Sequence, residues 1–507
     1  MKKNVLLFII ILQAIILTAQ SGDAFIFGER ILSLMQKSVP ESERDIVRKS
    51  VALLYAQTDY EEEGIASLMT IRNESEYIPA VMTFTNIMAG KFNFKTAKKS
   101  VSLLKGEYKL EAMLVIADEM INSGITNECG KFLEGCESAI DKDFEPYKTS
   151  KFLSELSTLY YRLNNTPKAL ELISRALWTA QSIKDGDKKA FALKDVSLAY
   201  ISMNNRLITG IVENQINQTK NQRTLLEIAK DYLEAGEVGG TKKFLKTAKA
   251  RTEKENDLKM KSGQFYEAAV LYKKIKSEKD AAECAKMSLS TAKVILSRND
   301  RINAMIRAND ILKEDSVYST ALQEILLVKD YKTRVDMIID ISSGYMRMNA
   351  REKGFFLLKM ILVDVKKNKK ILQTEKVLES ISDIYIDNGS SRECDEFIDI
   401  LKRDFSEYPL IISKMYHANN SYKSAIKYAE RIKDSKKRSL QKIKITEMVF
   451  SASDKQLSQE VLSKMLYEIS LSEDALFKCI LLADVSILCI KYQISLDRES
   501  LSLLEKI

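Results

Sequence analysis

Imidazole and indole are almost missing from this chain: His417 and Trp178 are the only histidine and tryptophan among 507 residues. One histidine excludes histidine-based metal clusters and leaves Ser-His-Asp chemistry with a single candidate base. Turn residues are scarce as well. Seventeen glycines and five prolines make up about 4% of the chain against a usual value of roughly 12%. β-Sandwiches, barrels and many-looped α/β enzymes need more of them. Six cysteines are too few for a disulfide scaffold. What is present is 45% hydrophobic and 29% charged residues, which carries a sizeable core and excludes a disordered chain. The composition is that of an all-helical protein.

The only long uncharged apolar run is at the start. Lys2 and Lys3 precede Val5–Leu17, and Thr18-Ala19-Gln20-Ser21-Gly22-Asp23-Ala24 follow. A positive n-region, an apolar stretch and a small-residue exit are the features of a secretory signal peptide, expected over residues 1–20. Cleavage falls either after Ala19 or near Gly22 and Ala24, and an uncleaved anchor is the alternative. Cutting near Ala19 removes Lys2 and Lys3 and takes the formal net charge from +8 to +6. Farther on, Leu476–Ile490 is the most apolar stretch, but Lys478 and Asp484 interrupt it. It reads as a buried helix, so no membrane-spanning segment is expected in the mature chain.

Self-alignment gives one recurring pattern. An anchor, aromatic or large and apolar, has a small residue three before it, Gly or Asn four after it and another small residue nine after it. The anchors are Met120, Tyr160, Tyr200, Tyr232, Tyr345, Tyr385 and Tyr416. The preceding small residues are Ala117, Ser157, Ser197, Ala229, Ser342, Ser382 and Ser413. Gly124, Asn164, Asn204, Gly236, Asn349, Gly389 and Asn420 hold the turn; Cys129, Ala169, Thr209, Thr241, Gly354, Cys394 and Ala425 complete the set. Positions three apart share a helix face. Gly and Asn accept the left-handed conformation that ends a helix, and a small residue in the second helix lets two antiparallel helices approach. Weaker copies are expected at Tyr55, Asn86, Lys259, Ile311 and Phe450.

This pattern resembles the tetratricopeptide repeat, a helix–turn–helix unit of about 34 residues. The resemblance rests on triplets such as Ser157, Tyr160 and Ala169, or Ala229, Tyr232 and Thr241. The late proline of that repeat is mostly missing and its early tryptophan is absent, since Trp178 falls in a second helix. Anchors are also 31 to 40 residues apart within the two good blocks, so several units are long variants. The fold expected is all-α: a right-handed α-solenoid of stacked antiparallel helix pairs, in which stacking supplies the core that no single pair can bury. The expected organisation is a helical region over 21–110 that forms a cap or degenerate repeats, and repeats over 111–250. An irregular segment follows over 251–330, and repeats with apolar terminal helices over 331–507. The charged run Arg251–Lys261 is either a hinge or a degenerate repeat, and the second is favoured. Because the last helices lack a polar capping face, either another molecule covers them or the final helix folds back.

No catalytic, cofactor or metal site emerges. Cys129 and Cys136 lie at packing positions, as does Cys394; Cys284, Cys479 and Cys489 have no visible ligand partners. His417 reads as a solvent-facing residue near a helix end. Glu61-Glu62-Glu63 reads as a solvated helix end, and Asn217-Gln218-Thr219 is a glycosylation acceptor only in a compartment that uses that system. Three basic clusters stand out: Lys242, Lys243, Lys246 and Lys249; Lys366, Lys367, Lys369 and Lys370; and Lys433, Lys436, Lys437, Arg438, Lys442 and Lys444. They read first as solvated loops and outer helix faces, and second as contacts to an acidic partner or an anionic envelope surface. Nucleic acid is not expected.

The expectation is an exported, non-enzymatic scaffold of the bacterial cell envelope, periplasmic or extracellular, that binds a protein or peptide; partner binding is what the resemblance implies. The alternatives are a holdase or transport accessory for exported cargo, marked by a large exposed apolar groove, and a cell-wall glycan-acting enzyme, marked by an acid with a raised pKa in a groove.

Overall fold

The computed structural model describes residues 23–140, 144–368, 373–452 and 455–507. The signal-peptide residues 1–20 and the lysines 369 and 370 lie outside them. Among the described residues all regular structure is helical, with no strand, and the architecture is an α-solenoid of stacked helix pairs. The chain forms two compact units, one from the segment up to residue 139 together with 394–507, the other from 140–393.

The repeat has a simple physical cause. The anchor is the residue whose carbonyl closes the helix. Tyr160 O accepts from Asn165 N at 2.9 Å while Asn164 N donates to Tyr161 O at 2.9 Å, which is the paired hydrogen bonding of a Schellman C-cap. The residue four after the anchor must then be left-handed. Asn164, Asn204, Asn349, Asn420, Gly124 and Gly236 all have φ between 57° and 80°. Asn165 and Asn205 start the next helix by accepting Lys168 N and Ile208 N on their side chains. In these two Asn-Asn pairs, 164–165 and 204–205, the first residue ends a helix and the second begins one. Gly389 departs from the expectation: its φ is −72°. Its N–H alone bonds Tyr385 O at 2.7 Å and the chain leaves extended, so the freedom of glycine is unused there.

The small residues mark where two helices cross. Ser413 Oγ donates to Ala425 O at 2.7 Å and Cys129 Sγ to Ala117 O at 3.5 Å, each bond joining the slot three before an anchor to the slot nine after it. A Cβ at Gly354 would sit 3.0 Å from Ser342 O, and one at Gly64 would sit 3.3 Å from Ala52 O. Tyr55 therefore has Ala52 and Gly64 in the two crossing slots, although its carbonyl accepts from Thr58 N at 3.1 Å and Asp59 is not left-handed.

Other weak copies shift. Asn86 gives way to Met88, with buried Thr85 and Ala97 and a left-handed Phe92. Ile311 gives way to Asn309, whose side chain closes the turn by bonding both N and O of Glu314 at 2.9 Å. Phe450 gives way to Val449, with buried Thr446 and Ser458. Lys259 anchors nothing, being the second residue of the helix Leu258–Lys274. The anchor of that helix is Tyr272, with Ala269, a left-handed Lys276 and Ala281 in the expected places. The charged run before it ends in Asp257, whose carboxylate caps the new helix through Lys259 N and Met260 N.

In the unit 140–393, the first helices are Pro146–Arg162, Gly186–Ser202, Gln222–Glu234, Leu258–Lys274, Arg298–Leu312, Tyr331–Arg347 and Thr374–Asn388. The second helices are Thr166–Ser182, Arg206–Ile216, Val238–Thr252, Glu278–Ala292, Asp315–Ile325 and Arg351–Lys367. Consecutive first helices pack directly on one another, whereas consecutive second helices stand farther apart. The first helices are the inner layer of this unit.

The other unit joins the two ends of the chain. A helix over 23–38 buries Ala24, Phe27, Ile31 and Met35 on one stripe, in one cluster with Leu481, Leu482, Val485 and Cys489 of the helix Ala475–Tyr492. Polar contacts fix the pairing: Leu496 N donates to Asp23 Oδ2 at 2.9 Å and Arg30 to Glu505 O at 2.7 Å. Arg44–Ala56 packs on Ala475–Tyr492 too. The apolar C-terminal helices are thus covered by the chain's own N-terminal helices, and the final helix folds back to add Leu504 and Ile507 to the same cluster. A helix apolar on nearly every side needs neighbours on more than one face.

Candidate interaction surface

The second helices of the unit 140–393 are bridged by long charged side chains. Lys243 reaches Glu213 at 3.0 Å, Lys242 reaches Asp280 at 3.5 Å, and Lys353 reaches Asp315 at 2.8 Å. Lys249 pairs with Glu283 at 2.5 Å. The basic cluster 242–249 is therefore mostly stitching between repeats. The cluster 433–444 behaves likewise: Lys436 meets Asp474 at 2.7 Å, while Arg438 and Lys442 share Glu468, the latter at 2.9 Å. Lys366 and Lys367 are exposed at the end of Arg351–Lys367.

The inner layer carries a pattern that local reading of the sequence misses. Five residues before an anchor stands an acid in five units: Glu155, Asp195, Glu227, Glu267 and Asp340. All five lie on first helices, which stack side by side and so bring this slot of one unit toward the next. Lys151 lies 3.9 Å from Glu155 and also acts on Asp195. Asp195 contacts Lys194 at 2.8 Å, Lys194 reaches Asp231 at 3.0 Å, and Asp195 Oδ2 is buried without a hydrogen bond. Burial raises the Asp195 carboxyl pKa despite Lys194. Glu227 pairs with Arg223 at 3.2 Å. Glu267 and Asp340 reach solvent, yet protein surrounds them closely enough that lost hydration raises both pKa values, with Glu227 adding to the first effect against Arg223 and Lys230, and Asp336 to the second against Arg347 and Arg307. Asp336 is itself raised, by burial and then by Asp330 against Lys332. Partly dehydrated carboxylates spaced along the layer, Glu267 and Asp340 being two repeats apart, can receive cations of an extended ligand.

The residues singled out from the sequence lie elsewhere. His417 is not solvent-facing: its Nε2 is buried without a hydrogen bond, and burial together with Lys444 lowers its pKa. The short helix Pro409–Ala418 turns it inward at its last turn. All six cysteines are buried, and burial pushes the Cys136 and Cys479 thiols up to about 12. Glu61, Glu62 and Glu63 form the first turn of Glu61–Met69, where negative charge suits the helix dipole. Asn217 ends Arg206–Ile216, and its carbonyl accepts from Arg251 at 2.6 Å. No group of His, Cys, Asp and Glu able to hold a metal ion occurs among the described residues, and no helix there is long and apolar enough to cross a membrane.

No protein-family profile matches the chain, and no curated protein sequence does. Solved structures give weak likenesses. The Ton1535 protein of Thermococcus onnurineus NA1 matches at 13% identity and a TM-score of 0.29, over 80% of this chain and 98% of that one. A signal transduction ATPase with a tetratricopeptide repeat sensor, from Pyrococcus horikoshii, matches at 15% identity and a TM-score of 0.22, over 65% of this chain and 56% of that one. A circular tandem repeat protein matches at 10% identity and a TM-score of 0.14, over 97% of this chain and 98% of that one. Scores this low say nothing of activity.

Proposed function

We propose that this chain is an exported, non-enzymatic, tetratricopeptide-like scaffold of the cell envelope that binds an extended, cationic segment of a partner protein along the inner layer of the unit 140–393. The observation that carries the reading is the acidic slot Glu155, Asp195, Glu227, Glu267 and Asp340, held by five of the seven stacked first helices, with Ala304 and Ser380 in the other two. Like charges held a repeat apart and partly dehydrated are unfavourable unless an opposite charge completes them. Glu267 and Asp340, with raised pKa values, are the strongest receivers.

The test is fluorescence anisotropy of a labelled peptide of alternating Lys and Ser against its Glu-Ser counterpart. The basic peptide binds, more weakly as salt rises, and the acidic one does not. Glu267→Gln and Asp340→Asn each weaken binding roughly threefold to fivefold. Binding also weakens on acidification, and earlier than it would for freely hydrated carboxylates, because burial raises both pKa values. Equal binding of both peptides would refute the proposal. A raised carboxyl pKa is also what a glycan-cleaving general acid needs. Release of fragments from cell-wall glycan, abolished by Glu267→Gln, would replace the scaffold reading with the enzymatic one.

A further inference from the structure

Two loops in the unit 140–393 break the rule that connections are polar. In the position equivalent to the loops 217–221 (Asn-Gln-Thr-Lys-Asn) and 253–257 (Glu-Lys-Glu-Asn-Asp), the next two read Lys293-Val-Ile-Leu-Ser297 and Leu326-Leu-Val-Lys-Asp330. In each, one aliphatic residue turns inward, Ile295 and Val328, both in the core with Ile302, Ile325 and Met337. The rest point out. Leu296 is 96% exposed, with Val294, Leu326 and Leu327 exposed beside it. The loops are fastened together: Arg298 donates to Leu327 O at 3.0 Å, and Arg301 binds Ile295 O at 2.7 Å and Glu324 at 2.8 Å. The following loop adjoins them, since Asn368 donates to Tyr331 Oη at 3.3 Å.

Cations outnumber acids around these tips. Lys293, Arg298, Lys329, Lys332 and Lys367 are exposed along the edge. Of the acids there, Asp300 and Glu324 bring their own cations, Lys259 and Arg301. Asp330 is taken up capping Thr333 N, and Asp364 stands in the last turn of its helix. The aliphatic side chains project from loop tips rather than line a groove. A protein partner would need a matching cavity for them, whereas the headgroup region of a bilayer accepts projecting aliphatic tips, and anionic lipid complements the surrounding cations.

We propose that the edge formed by loops 293–298 and 326–332 docks on an anionic phospholipid surface, with Val294, Leu296, Leu326 and Leu327 entering the interface and the flanking lysines and Arg298 contacting headgroup phosphates. The inference is independent of the acidic inner layer and stands or falls without it.

The full chain is sedimented with vesicles of phosphatidylglycerol in phosphatidylcholine and with phosphatidylcholine alone. It is compared with Leu296→Ser/Leu327→Ser and Lys293→Ser/Lys329→Ser, all sharing the same N-terminus. Expected is binding that needs the anionic lipid and falls with salt. Each cation removed weakens it roughly fivefold, and the two-leucine variant largely abolishes the salt-sensitive part. Trp178, 74% exposed on another helix, is replaced by Phe, and Leu296→Trp then reports insertion. The emission of the new indole shifts to the blue and brominated lipid quenches it. Sedimentation unchanged by either loop variant, or an indole at position 296 that stays in water, would overturn the proposal. So would self-association without vesicles that is lost in Leu296→Ser, which would assign the edge to a second copy.

Discussion

Adjacent glycines in one helix provide an internally controlled test of the helix crossings. Gly239 and Gly240 both lie near the start of Val238–Thr252. A Cβ at Gly239 meets nothing within 4 Å, whereas one at Gly240 would lie 2.3 and 2.4 Å from Cδ1 and Cε1 of Tyr232. Carbon atoms pack at about 3.5–4.0 Å, so the overlap exceeds an ångström. Tyr232 cannot retreat, because it is fully buried, stands edge-on to Phe244 at 4.9 Å, and hydrogen-bonds Ser197. Alanine relieves the entropy cost of glycine by up to about 1 kcal/mol at either site. That gain cancels in the comparison and leaves overpacking alone, about 1–3 kcal/mol. Gly239→Ala should raise the urea midpoint. Gly240→Ala should fall below Gly239→Ala by that amount, with faster amide exchange confined at first to 222–252. Indistinguishable midpoints for the two variants would refute the close crossing of these two helices at Gly240, the residue just before the slot held by Thr241.

Three further outcomes follow from the same structure. Lys276→Gly and Phe92→Gly each relieve a left-handed side chain and raise stability by about 1 kcal/mol. Gly124→Ala, free of any clash but at φ 80°, lowers it by a similar amount in denaturant titration. Glu468 would be raised by burial, but hydrogen bonds from Lys442 and Arg438 outweigh that and hold its pKa low. Its contribution is complete above the unfolded value of roughly 4.3 and is lost as pH falls through the lower folded value. Glu468→Gln costs about 3 kcal/mol near neutrality, with the difference from the parent shrinking in acid. Phe27→Ala empties a fully buried site between the chain ends. It costs about 3–5 kcal/mol and speeds amide exchange in Ala475–Tyr492, where unchanged protection would contradict the joined termini.

The repeat was legible because the Schellman cap and the helix crossing each impose a residue type at a fixed offset. Where the imposed type is relaxed, the pattern disappears from the sequence although the geometry persists. Tyr272 was missed because Lys276 occupies the left-handed position, and Met88 because Phe92 does. Gly389 shows the reverse, a permitted residue in an ordinary conformation. The N-terminal part of the cover over the C-terminal helices was not legible at all, since helix 23–38 lies more than four hundred residues away along the chain. Lysine clusters were visible as runs. Their neutralisation was not, because Lys243 finds Glu213 and Lys249 finds Glu283 one repeat distant.

That separation of one repeat governs the electrostatics of both layers of the unit 140–393, and among the first helices it pairs Lys194 with Asp231, Lys259 with Asp300 and Arg347 with Asp310. Among the second helices it sets unlike charges together, and the resulting ion pairs span the wider gap there. Among the first helices it also sets Glu227 near Glu267, with Asp336 crowding Asp340 on the same layer. Like-charge neighbours cost a few tenths of a kcal/mol each and gain nothing for the fold, since packing already joins those helices. Natural sequences break local rules of this kind chiefly where a ligand restores the balance. A chain that pairs its charges on the outer layer can evidently do so on the inner one. At Glu267 and Asp340 burial and a like charge outweigh the nearby cations, Arg223 and Lys230 at the first and Arg347 and Arg307 at the second, and that imbalance is the physical reason to test for the partner there.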